Sequence, residues 1–169
     1  MISPELLRRF PLFAGQSFYM LDEIAMISKE LVVKEDDWIF HENEEAINFY
    51  LILEGEIALT LYLYYNGSGR HLQTTSPLTK PQLFGWSALV KPHHYKMGAR
   101  ATKDSKLLLI DGPALRQLLE DNPEYGFLFI RNIAEEISER MEYKCIQVLS
   151  MVLDSKKEST EKTKNNNPS

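Results

Sequence analysis

The feature that most constrains this chain is the alternation over Ile57–Tyr64. Ile57, Leu59, Leu61 and Leu63 alternate with Ala58, Thr60, Tyr62 and Tyr64. Successive side chains on a strand point to opposite faces, so this stretch reads as a strand with one apolar face. Asn66-Gly67-Ser68-Gly69 follows and supplies residues that tolerate positive φ, which predicts a hairpin with Arg70–Thr74 running back antiparallel. Other short β-rich runs flank it. Leu31–Lys34 and Trp38–His41 are split by the acidic turn Glu35-Asp36-Asp37, and Ile47–Leu53 ends at Glu54-Gly55-Glu56. Leu107–Ile110 closes at Asp111-Gly112-Pro113. Many short strands at turn-marked intervals, from about residue 31 to 111, predict a sandwich or barrel.

Helices are predicted on either side. Ser3 followed by Pro4 is a helix start, with Leu6, Leu7 and Phe10 on one face, and Pro11 ends it. Leu12-Phe13-Ala14-Gly15 turns, and Ser17 or Asp22 caps a second helix carrying Leu21, Ile24, Ala25, Ile27 and Ser28. Beyond the strands, Pro113 opens a helix with Leu115, Leu118 and Leu119, stopped at Asn122-Pro123. A longer helix is predicted from about Pro123 to about Asp154. It carries Phe127, Ile130, Ile133, Ala134, Ile137, Met141, Cys145, Val148 and Val152 at alternating threes and fours, with one slip near Cys145. At ~1.5 Å per residue it is about 45 Å long, more than a compact domain of this size needs to cover itself. Residues 155–169 contain no apolar side chain. The expected organisation is one domain over 1–153 and a disordered polar tail over 154–169.

Composition narrows the class. The chain has 169 residues, 44% of them hydrophobic and 25% charged, which suits one globular domain and excludes wholesale disorder. A single cysteine, Cys145, excludes an internal disulfide and multi-cysteine zinc sites. A net charge of −5 disfavours nucleic acid as a partner of the whole surface. No apolar run approaches the roughly 20 residues of a membrane span. Met1–Glu5 lacks the basic and apolar regions of a signal peptide. The chain reads as cytoplasmic, with no membrane and no direct DNA contact.

Specific words in this order resemble the cyclic nucleotide-binding domain of the catabolite activator (CRP/FNR) family. Leu12-Phe13 is similar to the family's entry signature. Phe49-Tyr50-Leu51-Ile52-Leu53-Glu54-Gly55-Glu56-Ile57 is similar to its central strand, turn and strand. Phe84-Gly85-Trp86-Ser87-Ala88-Leu89 lies where the family carries its phosphate-binding cassette, and Leu107–Asp111 with the Leu-rich helix and Asn122-Pro123 completes the register. The resemblance spans about residues 5–150. It implies a mainly β α+β fold: an antiparallel β-roll, jelly-roll-like, with N-terminal helices and a long C-terminal helix. It further implies a non-catalytic ligand sensor that dimerises through that helix. Relatives continue into a DNA-binding helix-turn-helix, a kinase or a channel, whereas the polar tail here is too short for a winged helix.

The resemblance also marks candidate ligand residues: Phe84, Gly85, Trp86, Ser87, Ala88, Tyr95, Lys96 and Arg100. A glycine lets backbone approach an anion, and main-chain N–H groups at Gly85, Ser87 and Ala88 favour negative charge. In the family a glutamate after that glycine holds the ribose hydroxyl, and a later arginine pairs the cyclic phosphate as a planar fork. Here Trp86 follows Gly85, and tryptophan accepts no hydrogen bond. Ungapped counting puts Tyr95 at the arginine's position, Lys96 just after it, and Arg100 on a second, downstream arginine. A shift of a few residues brings Lys96 or Arg100 into the pocket. Lys91, His93 and His94 add local positive charge, and Arg140 falls near the turn that closes over the base in relatives, where a solvent-facing stripe with Glu136 and Glu139 is favoured. Two readings of the pocket stand. One has it bind a cyclic nucleotide or other small anion with Trp86 as a stacking or lid surface; the other has it decayed, with Trp86 filling it. Either way the loss of two charged contacts predicts weak cyclic AMP binding in the family's manner.

Other constellations carry less. A cupin-like metalloenzyme needs His-x-His, which is absent; His41 precedes Glu42-Asn43-Glu44, and His93-His94 are adjacent, so no metal ligand and no cofactor is assigned. Cys145 sits in an apolar series and reads as packing rather than a nucleophile, and no catalytic residue is assigned. Tyr62, Tyr64 and Tyr65 read as a sheet face or dimer contact. The alternative to a sensor is a ligand-independent dimeric scaffold on the same fold.

Overall fold

The computed structural model describes residues 2–64, 70–74, 77–79 and 81–165. Two units are distinguished, Met1–Phe129 and Ile130–Ser169. The first holds the fold. Ser3 caps helix α1 (Pro4–Leu7), its Oγ accepting from the Leu6 N–H at 3.3 Å, and Pro11 opens a 3-10 turn over Pro11–Phe13. Of the two caps proposed for the next helix, Ser17 does the work: α2 spans Phe18–Met26 and the Met20 N–H donates to Ser17 Oγ at 3.2 Å. Ser28, assigned above to α2, instead starts a strand, and its hydroxyl donates back to the Ile24 carbonyl at 2.6 Å.

Eight strands follow: β1 Ser28–Val33, β2 Trp38–Phe40, β3 Asn48–Glu54, β4 Ile57–Tyr64, β5 Arg70–Thr74, β6 Leu83–Phe84, β7 Gly98–Ala101 and β8 Ser105–Asp111. They form two antiparallel four-stranded sheets, ordered β1-β8-β3-β6 and β2-β7-β4-β5. Consecutive strands repeatedly fall in different sheets, which is the β-roll the words above imply. The hairpin β4–β5 pairs Thr60 with Thr74 through Tyr64 with Arg70. Its turn, Asn66–Gly69, lies outside the described residues. β6 and β7 were not legible in the pattern. Between β3 and β4, Gly55 adopts φ +88, and a Cβ there would stand 2.1 Å from Ser105 Oγ, so the turn needs glycine.

The first sheet is buried on both faces. Tyr50, Ile52 and Leu107 face the second sheet, where Phe40 meets Tyr50 with ring centroids 5.6 Å apart, while Phe49, Leu51, Leu108 and Ile110 face the other way, Phe49 against Phe129 and Phe129 against Phe13. Asp111 caps α3 (Gly112–Asp121), its carboxylate accepting from the Ala114 N–H at 2.8 Å. Helix α4 runs Pro123–Asn165, past the end near Asp154 that the apolar series gives. Cys145 is exposed on it, not packed. No helix among the described residues is long and apolar enough to cross a membrane.

Candidate functional site

The turn after β6 is built on a left-handed glycine. Gly85 sits in the left-handed region at φ +79, and a Cβ there would lie 3.0 Å from Tyr50 Cδ2 and 3.1 Å from the Asn48 carbonyl oxygen. Only glycine takes that conformation at that closeness without strain. A 3-10 turn, Trp86–Ala88, follows directly. Closing it takes one of the three amides named above: the Ala88 N–H donates to the Gly85 carbonyl at 3.0 Å, and beyond it the Leu89 N–H donates to the Trp86 carbonyl at 2.9 Å. The expectation that Ala88 presents its N–H to a ligand is therefore corrected, because closing the turn consumes it. Ser87 has no protein partner among the described residues.

This turn walls a cavity of about 80 Å³, lined by Phe40, Leu59, Gly85, Trp86, Ser87, Tyr95, Lys96 and Met97. Five of the predicted residues thus come together. Phe84 and Ala88 are buried behind them, Phe84 stacked on Tyr50 with ring centroids 4.9 Å apart. Arg100 does not join. β7 points it away from the cavity, where its Nη2 meets Asp36 Oδ1 at 2.7 Å, its Nε donates to the Asp36 carbonyl at 3.1 Å, and Trp38 lies alongside. Leu59, Ala99 and Phe40 are register partners across β4, β7 and β2, and Arg100 is one residue out of step, so it takes the opposite face. Lys91 and His94 are exposed on the loop and His93 is half-buried; none of the three lines the cavity. Arg140 is not solvent-facing: its side chain is 12% exposed, it donates to Glu136 Oε1 at 3.3 Å, and burial holds its pKa below the usual arginine value.

Tyr95 is fixed from three sides. It is 3% exposed, stacks on Phe40 with centroids 3.6 Å apart, and its hydroxyl donates to the Asn48 carbonyl at 2.8 Å while accepting from the Asn48 N–H at 3.2 Å. Burial first, then the neighbouring Tyr50, raises its pKa well above the ordinary phenol value; Tyr50 is raised as well, again by burial. Both stay neutral across the physiological range.

A family model for the cyclic nucleotide-binding domain matches residues 30–122. This chain belongs to that family. A Geobacter metallireducens protein, assigned by name to the cyclic nucleotide-binding class, is similar in structure with a TM-score of 0.72 and 36% identity, covering 83% of this chain and 99% of its own. The Thermus thermophilus catabolite activator protein matches at TM-score 0.63 and 20% identity over 84% of this chain and 63% of its own, a likeness of fold. The regulatory domain of Toxoplasma gondii PKA, solved with cAMP, matches at 0.63 and 17% identity over 78% of this chain and 48% of its own. No curated protein matches the sequence. The Gly85 turn lies within the matched residues. Three lining residues escaped the sequence reading: Phe40, Leu59 and Met97. Period-2 register on β4 put Leu59 on the inner face with Ile57 and Leu61, but only the sheet pairing places Phe40 opposite it. Arg116 is also new: its Nη1 donates to the Ala88 carbonyl, tying α3 to the back of the Gly85–Ala88 turn. Nothing in sequence spacing marks that contact. Among the described residues no three His, Cys, Asp or Glu side chains are grouped to hold a metal ion.

Proposed function

We propose that this β-roll is a non-catalytic ligand sensor with a divergent cassette, responsive to an anionic ligand but not to cyclic AMP in the family's manner. One observation carries the reading: the Gly85 turn walls a cavity whose lining, among the described residues, has Lys96 as its one charged side chain and neither a carboxylate nor an arginine. Trp86 stands where the ribose acceptor would be. Tyr95 stands where the phosphate fork would be, and its hydroxyl is spent on Asn48. Lys96 and Ser87 remain to meet an anion. The cavity is about 80 Å³. That falls short of the roughly 300–1,000 Å³ of sites for drug-sized ligands. A change at the cassette reaches α3 through Arg116 on the Ala88 carbonyl and through Gly112, which lies so close that a Cβ on it would stand 2.9 Å from Ala88 Cβ. The output we infer is self-association of α4 in a homodimer.

The test is cyclic AMP affinity, by calorimetry, in the native protein and in Trp86→Glu/Tyr95→Arg. The native protein is expected to bind weakly or not at all, and the double variant to gain at least about tenfold, the effect of one charge-assisted hydrogen bond. Trp86→Glu alone, at a half-exposed position, asks the same question where the double variant is unstable. Micromolar binding by the native protein with no gain in either variant overturns the reading. A decayed, ligand-independent scaffold is the outcome if no anion perturbs Trp86 fluorescence at millimolar concentration.

A further inference from the structure

We propose that the cavity takes a small monocarboxylic acid with a compact apolar body, an aryl acid of benzoate size, ring inward and carboxylate at the mouth on Lys96. The proposal rests on the anion-sensing reading above and narrows it to a ligand class. The walls decide the body of the ligand. Phe40, Leu59 and Met97 are apolar, and Tyr95 offers the cavity only its ring because its hydroxyl is committed to Asn48. Phe40 and Tyr95 lie nearly parallel at 11°, a flat double layer beside which a planar ring packs by offset stacking or edge contact. An unsubstituted polar ligand would leave its hydrogen-bonding groups unmet against such walls, a cost that a ring does not incur.

The charge decides the head group. Lys96 is the only charged side chain among the described residues that line the cavity, and it forms no ion pair with any described residue. It is exposed, so the ammonium stays hydrated at the rim while the cavity behind it is apolar. That gradient, wet cation outside and dry ring inside, matches an amphiphilic acid entering ring first. A phosphate ester asks for more: several acceptor oxygens, best met by a planar fork. The fork that could have served, Arg100, is neutralised by Asp36 on the far face. Ser87 supplies one further hydroxyl, enough for the second carboxylate oxygen. Size favours the same class, since about 80 Å³ is small beside the roughly 300–1,000 Å³ of sites for drug-sized ligands.

The experiment is a titration of the full chain with four probes, benzoate, benzyl alcohol, inorganic phosphate and cyclic AMP, read by tryptophan fluorescence and calorimetry. Benzoate is expected to bind at least about tenfold more tightly than either benzyl alcohol or phosphate, because neither carries both the ring and the carboxylate. Lys96→Gln, an exposed position that leaves thermal stability unchanged, is expected to reduce benzoate affinity about tenfold. Met97→Ser is expected to weaken benzoate and leave phosphate unaffected. Phosphate binding with no preference for benzoate overturns this proposal and leaves the anion-sensing reading in place. Cyclic AMP outcompeting both, or no probe binding at all, overturns the two together. Benzoate binding indifferent to Lys96→Gln puts the ligand elsewhere and also ends the proposal.

Discussion

Tyr95 closes two hydrogen bonds at once, and both partners are main-chain groups of Asn48 at the start of β3. Removing the hydroxyl leaves a buried donor and acceptor without a partner, so Tyr95→Phe is expected to cost about 1–3 kcal/mol, read as a lower urea midpoint at unchanged slope. The same residue sets a pH dependence. Tyr95 and Tyr50 both have raised pKa values in the fold, while the unfolded chain releases phenolic protons near the ordinary value of 10. The stability they contribute is therefore full below about pH 10 and falls as pH rises above it, by up to about 1.4 kcal/mol per pH unit for each tyrosine. Tyr95→Phe should reduce that alkaline slope, and an unchanged slope between pH 9 and 11 contradicts the assignment. Gly85 is the other residue on which the site depends. Gly85→Ala forces φ +79 on an L side chain against Tyr50 and should cost about 1–2 kcal/mol by thermal melting.

At the scale of elements, legibility followed side-chain periodicity. β4 was read to its ends because four apolar residues alternate there, but its burial does not follow the alternation: Ala58 and Thr60 are buried with Ile57, and Leu63 is exposed. β7, Gly-Ala-Arg-Ala, has no β-branched or aromatic residue; it is a strand because β2 and β4 pair with it on both sides, and Ala99 and Ala101 are small enough to let the sheet pack. β6 is two residues held against Tyr50 and Leu51, below any periodic signal. The same limit hid part of the site. The glycine turn and Trp86 are local in sequence and were readable, whereas Phe40 and Arg116 reach the cassette only through tertiary pairing. Arg116 gives that statement a test. Arg116→Met keeps the stem on α3 but removes the donor to the Ala88 carbonyl. Amide exchange at Ala88 and Leu89 is expected to rise about tenfold, with a global loss of only about 1 kcal/mol. Unchanged exchange would mean that α3 does not brace the turn.

For the whole molecule, the second unit poses the remaining question. Along α4, Ile130, Met141, Ile146, Val148 and Leu149 are exposed, more apolar surface than a lone helix ordinarily leaves in water. Ile130 and Ile137 stand seven apart, as do Ala134, Met141 and Val148, which is the spacing of a two-helix seam. Cys145 interrupts the threes and fours between Met141 and Val148, and its exposure makes it a reporter of the partner's direction. In a parallel pair in register, the two copies of Cys145 lie at the same level but one position off the seven-residue seam, within reach of a short thiol-to-thiol linker rather than of a direct disulfide, which spans ~4.4–6.8 Å between Cα atoms. In an antiparallel pair they are separated along the helix by many residues. A short bis-maleimide is therefore expected to give a covalent dimer on denaturing gels, abolished by Cys145→Ser, while light scattering of the reduced protein gives twice the chain mass. Ile137→Glu with Val148→Glu places like charges in the seam and should return both readouts to the monomer. A reduced protein that stays monomeric at high concentration refutes the dimer, and a dimer that resists cross-linking at Cys145 refutes the parallel arrangement.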